Sequence, residues 1–162
     1  MRVIIEINNL TFEPLNQDFL KKCIKFVLKK QRKKDIYLSV AIVGEKRMRK
    51  INKKYRKKDK ATDVLSFPED KVLLEKFRID SCQKIQGLGE IIICLQEVKK
   101  NAKTSNLLLN QELSRVIIHG VLHLLGYDHE KSVSDEKKMK EKQENYLSQF
   151  LMKTPNLKFL HS

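Results

Sequence analysis

From Asn110 to His129 the chain reads NQELSRVIIHGVLHLLGYDH. Its apolar residues recur at helical spacing as far as Leu125, and Gly126 is the residue type that closes a helix in the left-handed conformation. Asn110 is the expected N-cap. The segment therefore predicts one long apolar helix followed by a sharp turn.

Three of the four histidines in the chain, His119, His123 and His129, fall in this stretch. A separation of four residues on a helix stacks His119 and His123 on one face, about 5 to 6 Å apart, a gap that two ligands of one metal can close. Gly126 permits the reversal that returns His129 toward the same point. Neutral imidazoles suit zinc at about 2.0–2.1 Å, and three of them leave a fourth tetrahedral position open, which is the arrangement of a catalytic site. One histidine alone on an apolar helix is ordinarily a core or boundary residue; three around a glycine turn point to a metal. A structural site stays open as an alternative, with Cys94, Cys82 or a carboxylate as fourth ligand. Asp128 either orients a ligand imidazole from behind or simply forms the turn.

Outward from this helix, strands and helices interleave. Val3 to Ile7 reads as a short strand, and Asn16 to Lys30 as a helix with Phe19, Leu20, Cys23, Ile24, Val27 and Leu28 on one face. Ile36 to Val43 is a β-branched and aromatic run, hence a strand. Glu45 to Lys57 is a second helix with a narrow apolar face of Met48, Ile51 and Tyr55. Asp63 to Phe67, stopped by Pro68, is a strand suited to an edge. Residues 69–86 read as a loop with room for one helical turn. Glu90 to Leu95 is apolar enough to be a central strand covered on both sides, and Gln96 to Ala102 is helical. Ser132 followed by Asp135 resembles a capping box opening a last helix from about Ser134 to Met152. Without a repeat or a strict βαβ alternation, the expected class is α+β, a mixed α/β sandwich of about four strands packed with helices in a single domain over residues 1–162.

The composition narrows the partners. Net charge is +14, and 27 of the 34 basic residues are lysine. Residues 21–34 carry eight cations and no acid, residues 45–60 ten cations and two acids, so these two segments account for +16 and the remainder is near −2. Such a localised excess points to a polyanion, either nucleic acid or an anionic membrane surface. The N-terminal apolar stretch is too short for a signal-peptide core, and no apolar run approaches the roughly 18 residues of a membrane span, so a soluble cytoplasmic protein is expected. The concentration of charge in two segments makes membrane the weaker choice, and no membrane partner is expected. Three scattered cysteines without a CxxC pair suggest buried thiols rather than a disulfide scaffold.

The histidine spacing, with glycine between the second and third, also matches the metzincin zinc-protease pattern. Position 120, where those enzymes carry their glutamate base, is glycine here, which disfavours peptide hydrolysis by that route. Zinc can bring the pKa of water down to about 7, so hydroxide is available without that glutamate.

The block His119-Gly120-Val121-Leu122-His123-Leu124-Leu125-Gly126-Tyr127-Asp128-His129 resembles the signature of the YbeY family of bacterial zinc-dependent endoribonucleases. Ile51 to Asp59, with Thr62-Asp63-Val64-Leu65-Ser66-Phe67-Pro68, is similar to a second segment of that family; Leu88 to Ile93 and the Met139 helix extend the match over most of the chain. Ala61 replaces the usual proline and Glu90 the usual aspartate. The resemblance implies one zinc per chain held by His119, His123 and His129, a functional arginine at Arg56, and a role in maturing the 3′ end of small-subunit ribosomal RNA and in ribosome quality control. An arginine guanidinium suits the charge that builds on phosphoryl oxygens. With a metal site at hand, the basic helix and the turn after it, Arg47, Lys50, Lys53, Lys54, Lys57 and Lys58, become the expected RNA contacts, whereas residues 21–34 carry less of that expectation. Two other readings remain: a non-catalytic RNA- or ribosome-binding module with structural zinc, and a zinc hydrolase of another substrate such as a peptide.

Overall fold

A computed structural model describes residues 2–69 and 85–155. Along these residues run β1 (Val3–Asn9), α1 (Gln17–Lys30), β2 (Ile36–Ile42), α2 (Glu45–Arg56), β3 (Val64–Pro68), β4 (Gln86–Ile93), α3 (Leu95–Thr104), α4 (Leu109–Leu124) and α5 (Val133–Lys153). The four strands form one mixed sheet in the order β1-β2-β4-β3, with β1, β2 and β4 parallel and β3 antiparallel to β4. This is an α+β fold. The loop expected over residues 69–86, and Cys82 within it, lie largely outside the described residues.

Alternation in the strands divides the apolar residues between two cores. Ile36, Leu38, Val40 and Ile42 of β2 and Ile91 and Ile93 of β4 face the larger core, which they share with α1, α4 and α5. Ala41, Val43, Leu65 and Ile92 face the other way, onto Met48 of α2 and Cys94. The apolar run of β4 is thus explained: it lies between β2 and β3 and is covered on both sides. That strand begins earlier than its sequence suggests, at Gln86, with a bulge at Leu88. Gly89 there has φ +124, and a Cβ on it would stand 2.1 Å from the Phe67 carbonyl oxygen. Glu90 accepts a hydrogen bond from Ser39 Oγ, and Ala61 packs beside the smaller core.

The caps set the helix limits. Asn16 accepts from the Phe19 amide and starts α1, and Ser132 accepts from the Asp135 amide and starts α5 one residue before the expected position. For α4 the expectation is corrected. Leu108, not Asn110, is the N-cap, because the Gln111 side chain turns back to accept from the Leu108 amide at 3.0 Å and leaves Asn110 inside the first turn. At the other end the expected glycine closure holds. Gly126 has φ +94, its amide donates to the His123 carbonyl, and the Tyr127 amide donates to the Leu122 carbonyl, the paired bonds of a Schellman turn.

Candidate metal centre

Helix α4 crosses the larger core, and its apolar side anchors it there through Leu113, Val116, Ile117, Val121 and Leu122. His119 and His123 project from the same helix into a cavity of about 560 Å³. Their imidazoles are 4.6 Å apart between ring centres, with Nε2 of one 3.1 Å from Nε2 of the other. The Schellman turn then reverses the chain, and the Asp128 carboxylate accepts from the Glu130 amide at 2.8 Å to tighten the return. His129 arrives with its ring 5.4 Å from that of His119 and 4.9 Å from that of His123. One ring nitrogen from each of the three lies within 4.8 Å of the others, so the cluster could hold a metal ion. Two nitrogens at tetrahedral corners about 2.0–2.1 Å from zinc are about 3.3 Å apart. The 3.1 Å separation fits that edge.

The electrostatics favour the same use. Burial pushes the His123 imidazolium down to about 4, helped by the neighbouring His119 and His129, and burial likewise lowers His119. Neutral imidazole is the form that ligates metal. Gly120, where a metzincin would carry its glutamate, faces the sheet. A Cβ there would stand 3.2 Å from two methyl groups of Ile91 and from Ser66 Oγ. A Cβ there would require Ile91 or Ser66 to shift by a few tenths of an ångström. Cys94 lies in the smaller core beneath α2 and Cys23 on the buried face of α1, and neither lines the cavity of the three histidines.

Cations share the lining of this cavity with Asp63, Asp128 and Glu130. Arg56, the last residue of α2, lines the cavity, as do Lys58 and Lys60, and the Arg56 charge is among those that depress His123. Lys57 has φ 60 and turns the chain so that Lys58 and Lys60 follow Arg56 to the cavity. Among the six expected RNA contacts, Lys58 reaches the lining; Arg47, Lys50, Lys53, Lys54 and Lys57 lie on or beside α2 outside it. Lys53 is held with Arg49 on Asp59, and Lys54 lies 5.1 Å over the ring of Tyr55. Asp128 also lines the cavity, with its carboxyl held below the usual range by the Glu130 amide.

Two site residues escaped the sequence reading. Asn52 is 3% exposed on a helix read for its cations and its narrow apolar face, and it lines the cavity. Gln143 of α5 meets His119 Nδ1 at 2.8 Å. Its position was a signal: it sits four residues from both Met139 and Leu147, a polar residue in an otherwise buried stripe.

The sequence profile described as "Endoribonuclease YbeY" matches residues 5–151. The chain belongs to the YbeY family. A YbeY endoribonuclease of Aquifex aeolicus is 38% identical over 152 residues, covering 94% of this chain and 93% of the relative. Another, from a Sulfurihydrogenibium species, is 39% identical over 125 residues, 77% of each chain. The solution structure of the Thermotoga maritima protein TM1509 superposes with a TM-score of 0.61 at 30% identity, covering 94% of this chain and 91% of the other. YbeY relatives are named endoribonucleases, so this chain is a nuclease of the hydrolase class acting on RNA. No helix among the described residues is long and apolar enough to cross a membrane.

Proposed function

We propose that the protein is a single-strand-specific, zinc-dependent endoribonuclease that matures the 3′ end of small-subunit ribosomal RNA and serves ribosome quality control in the cytoplasm. It works as one zinc-hydrolase domain over residues 1–162 with one zinc per chain. The observation that carries this reading is the convergence of three imidazoles in a cavity that Arg56, Lys58 and Lys60 also line. His119, His123 and His129 would hold the metal. Bound zinc supplies Lewis acidity, polarising phosphoryl oxygens and bringing the pKa of water down to about 7.

The protein groups do the rest. Arg56 presents a planar fork of donors to the phosphoryl oxygens, where negative charge grows during cleavage. Lys58 neutralises a neighbouring phosphate in the cavity, and Arg47, Lys50, Lys53, Lys54 and Lys57 extend the cationic track along α2. Asp128 holds the turn that returns His129. With Gly120 turned to the sheet, α4 offers no carboxylate base at that position, which makes a metal-supported route the consistent one.

The test joins metal analysis to cleavage of single-stranded ribosomal RNA fragments by wild type, His119→Ala and Arg56→Ala. Wild type is expected to carry one zinc and to cut. His119→Ala loses both, and Arg56→Ala keeps the metal while losing rate. One zinc per chain with no cutting above the His119→Ala background would replace this reading with that of a binding module. Cleavage of peptides by the zinc form would instead indicate a different hydrolase.

A further inference from the structure

We propose that Gln143 is a positioning residue for the metal centre, a role that rests on reading the three histidines as metal ligands. Its Oε1 takes the Nδ1 proton of His119, and this leaves Nε2 as the lone pair turned to His123 and His129. The contact is 2.8 Å long and comes from a separate helix, 24 residues further along the chain. The stripe on α5 that packs against the larger core is Met139, Tyr146, Leu147 and Phe150. Gln143 interrupts it. An apolar residue there would continue the buried face, so the amide has a reason to be present other than packing. Among the described residues its hydrogen-bond partner is the imidazole.

The tautomer matters because the His119 ring can offer only one lone pair when neutral. With the proton on Nδ1, Nε2 stands 3.1 Å from His123 Nε2 as an open donor atom. With the proton on Nε2, that hydrogen would occupy the space where the three nitrogens converge. A carbonyl acceptor at Nδ1 selects the first form and holds the ring plane.

Two measurements on Gln143→Leu and Gln143→Glu test the assignment. Leucine suits the buried stripe and keeps the fold intact, which circular dichroism checks. In the metal-free protein, nitrogen-resolved NMR of the imidazoles should show wild-type His119 in the Nδ1-protonated form and Gln143→Leu in a mixture. Cobalt(II) titration followed by visible absorption should show a 10- to 100-fold loss of affinity in Gln143→Leu. Gln143→Glu, which keeps an acceptor, should recover affinity to near wild type or beyond. The proposal is overturned if wild-type His119 is protonated on Nε2, if Gln143→Leu binds cobalt as wild type does, or if Gln143→Glu binds as weakly as the leucine variant. Failure of the wild type itself to take up cobalt would overturn the metal reading, and the proposal with it, and is seen separately from a change confined to the Gln143 variants.

Discussion

The side-chain amide of Asn52 donates to the main-chain carbonyl of Lys60 at 2.8 Å, across the turn that carries Lys58 and Lys60 into the cavity. The Lys58 amide returns to the Asn52 carbonyl at 3.4 Å. A buried polar side chain on the most cationic helix thus ties the lysine turn to the rest of α2. Asn52→Ala should cost about 0.5–1.5 kcal/mol, the net worth of one intramolecular hydrogen bond whose acceptor is on an exposed residue. Urea unfolding measures it, and RNA affinity should fall with it as the Lys58 turn loosens.

Gly120→Ala and Gly126→Ala should both destabilise, for different reasons. At Gly126 a Cβ meets nothing within 4 Å, so the cost comes from φ +94 alone, about 1–2 kcal/mol. At Gly120 the helical preference for alanine, about 1 kcal/mol, opposes an overpacking cost of about 1–3 kcal/mol against Ile91. The Ile91 side chain is fully buried, so the overpacking cost wins. Shortening Ile91 to valine removes the Cδ1 contact but leaves Cγ2 and Ser66 Oγ, so it should relieve Gly120→Ala in part and leave Gly126→Ala unchanged in denaturant melts.

Zinc should stabilise the fold through the His cluster. At a free concentration about 100 times its Kd the gain is about 2.7 kcal/mol, visible as a rise in Tm. In His129→Ala the gain should shrink or vanish, because the remaining two ligands sit on one helix. A chelator added to the wild type should reverse the rise.

The cations can be separated by salt. Each phosphate neutralised on single-stranded RNA contributes about −0.7 to the log-log slope of affinity against salt. Lys58→Ala should reduce the slope by about that amount. Lys53→Ala should change it less, because Asp59 already holds that ammonium at 3.2 Å. Fluorescence anisotropy with a labelled strand, repeated over a range of salt, tells them apart.

Tyr37 donates to Glu6 at 2.6 Å between β2 and β1, and this hydrogen bond pushes the phenol up to about 12. A folded pKa above the unfolded value of about 10 means that the pair contributes fully below pH 10 and is lost as pH rises through about 12. The same bond lowers the Glu6 carboxyl, so its share persists above the unfolded value of about 4.3 and is lost as pH falls. Tyrosinate absorbance should show a late-titrating phenol in wild type that Tyr37→Phe removes.

Local patterning made much of this molecule readable. The α1 face of Phe19, Leu20, Cys23, Ile24, Val27 and Leu28 is the buried face found, and Gly126 closes α4 as its residue type demands. Both follow from forces acting within a few residues of the chain. The α4 start differs from expectation because Asn110 is the usual capping type, whereas the cap is Leu108, to which a glutamine at the third helical position reaches back.

The histidine spacing by itself determined which three side chains belong together, since a helix repeat and a glycine turn leave them little choice of direction. Partners from elsewhere in the chain were decided only by tertiary packing. Gln143 meets His119 because α5 lies against α4, and Asn52 meets Lys60 because the turn after α2 folds back. The cationic helix shows the same division. Sequence located its charge, but Asp59 pairing and the left-handed turn at Lys57 decided which lysines reach the cavity, since long side chains go where the backbone and nearby acids direct them.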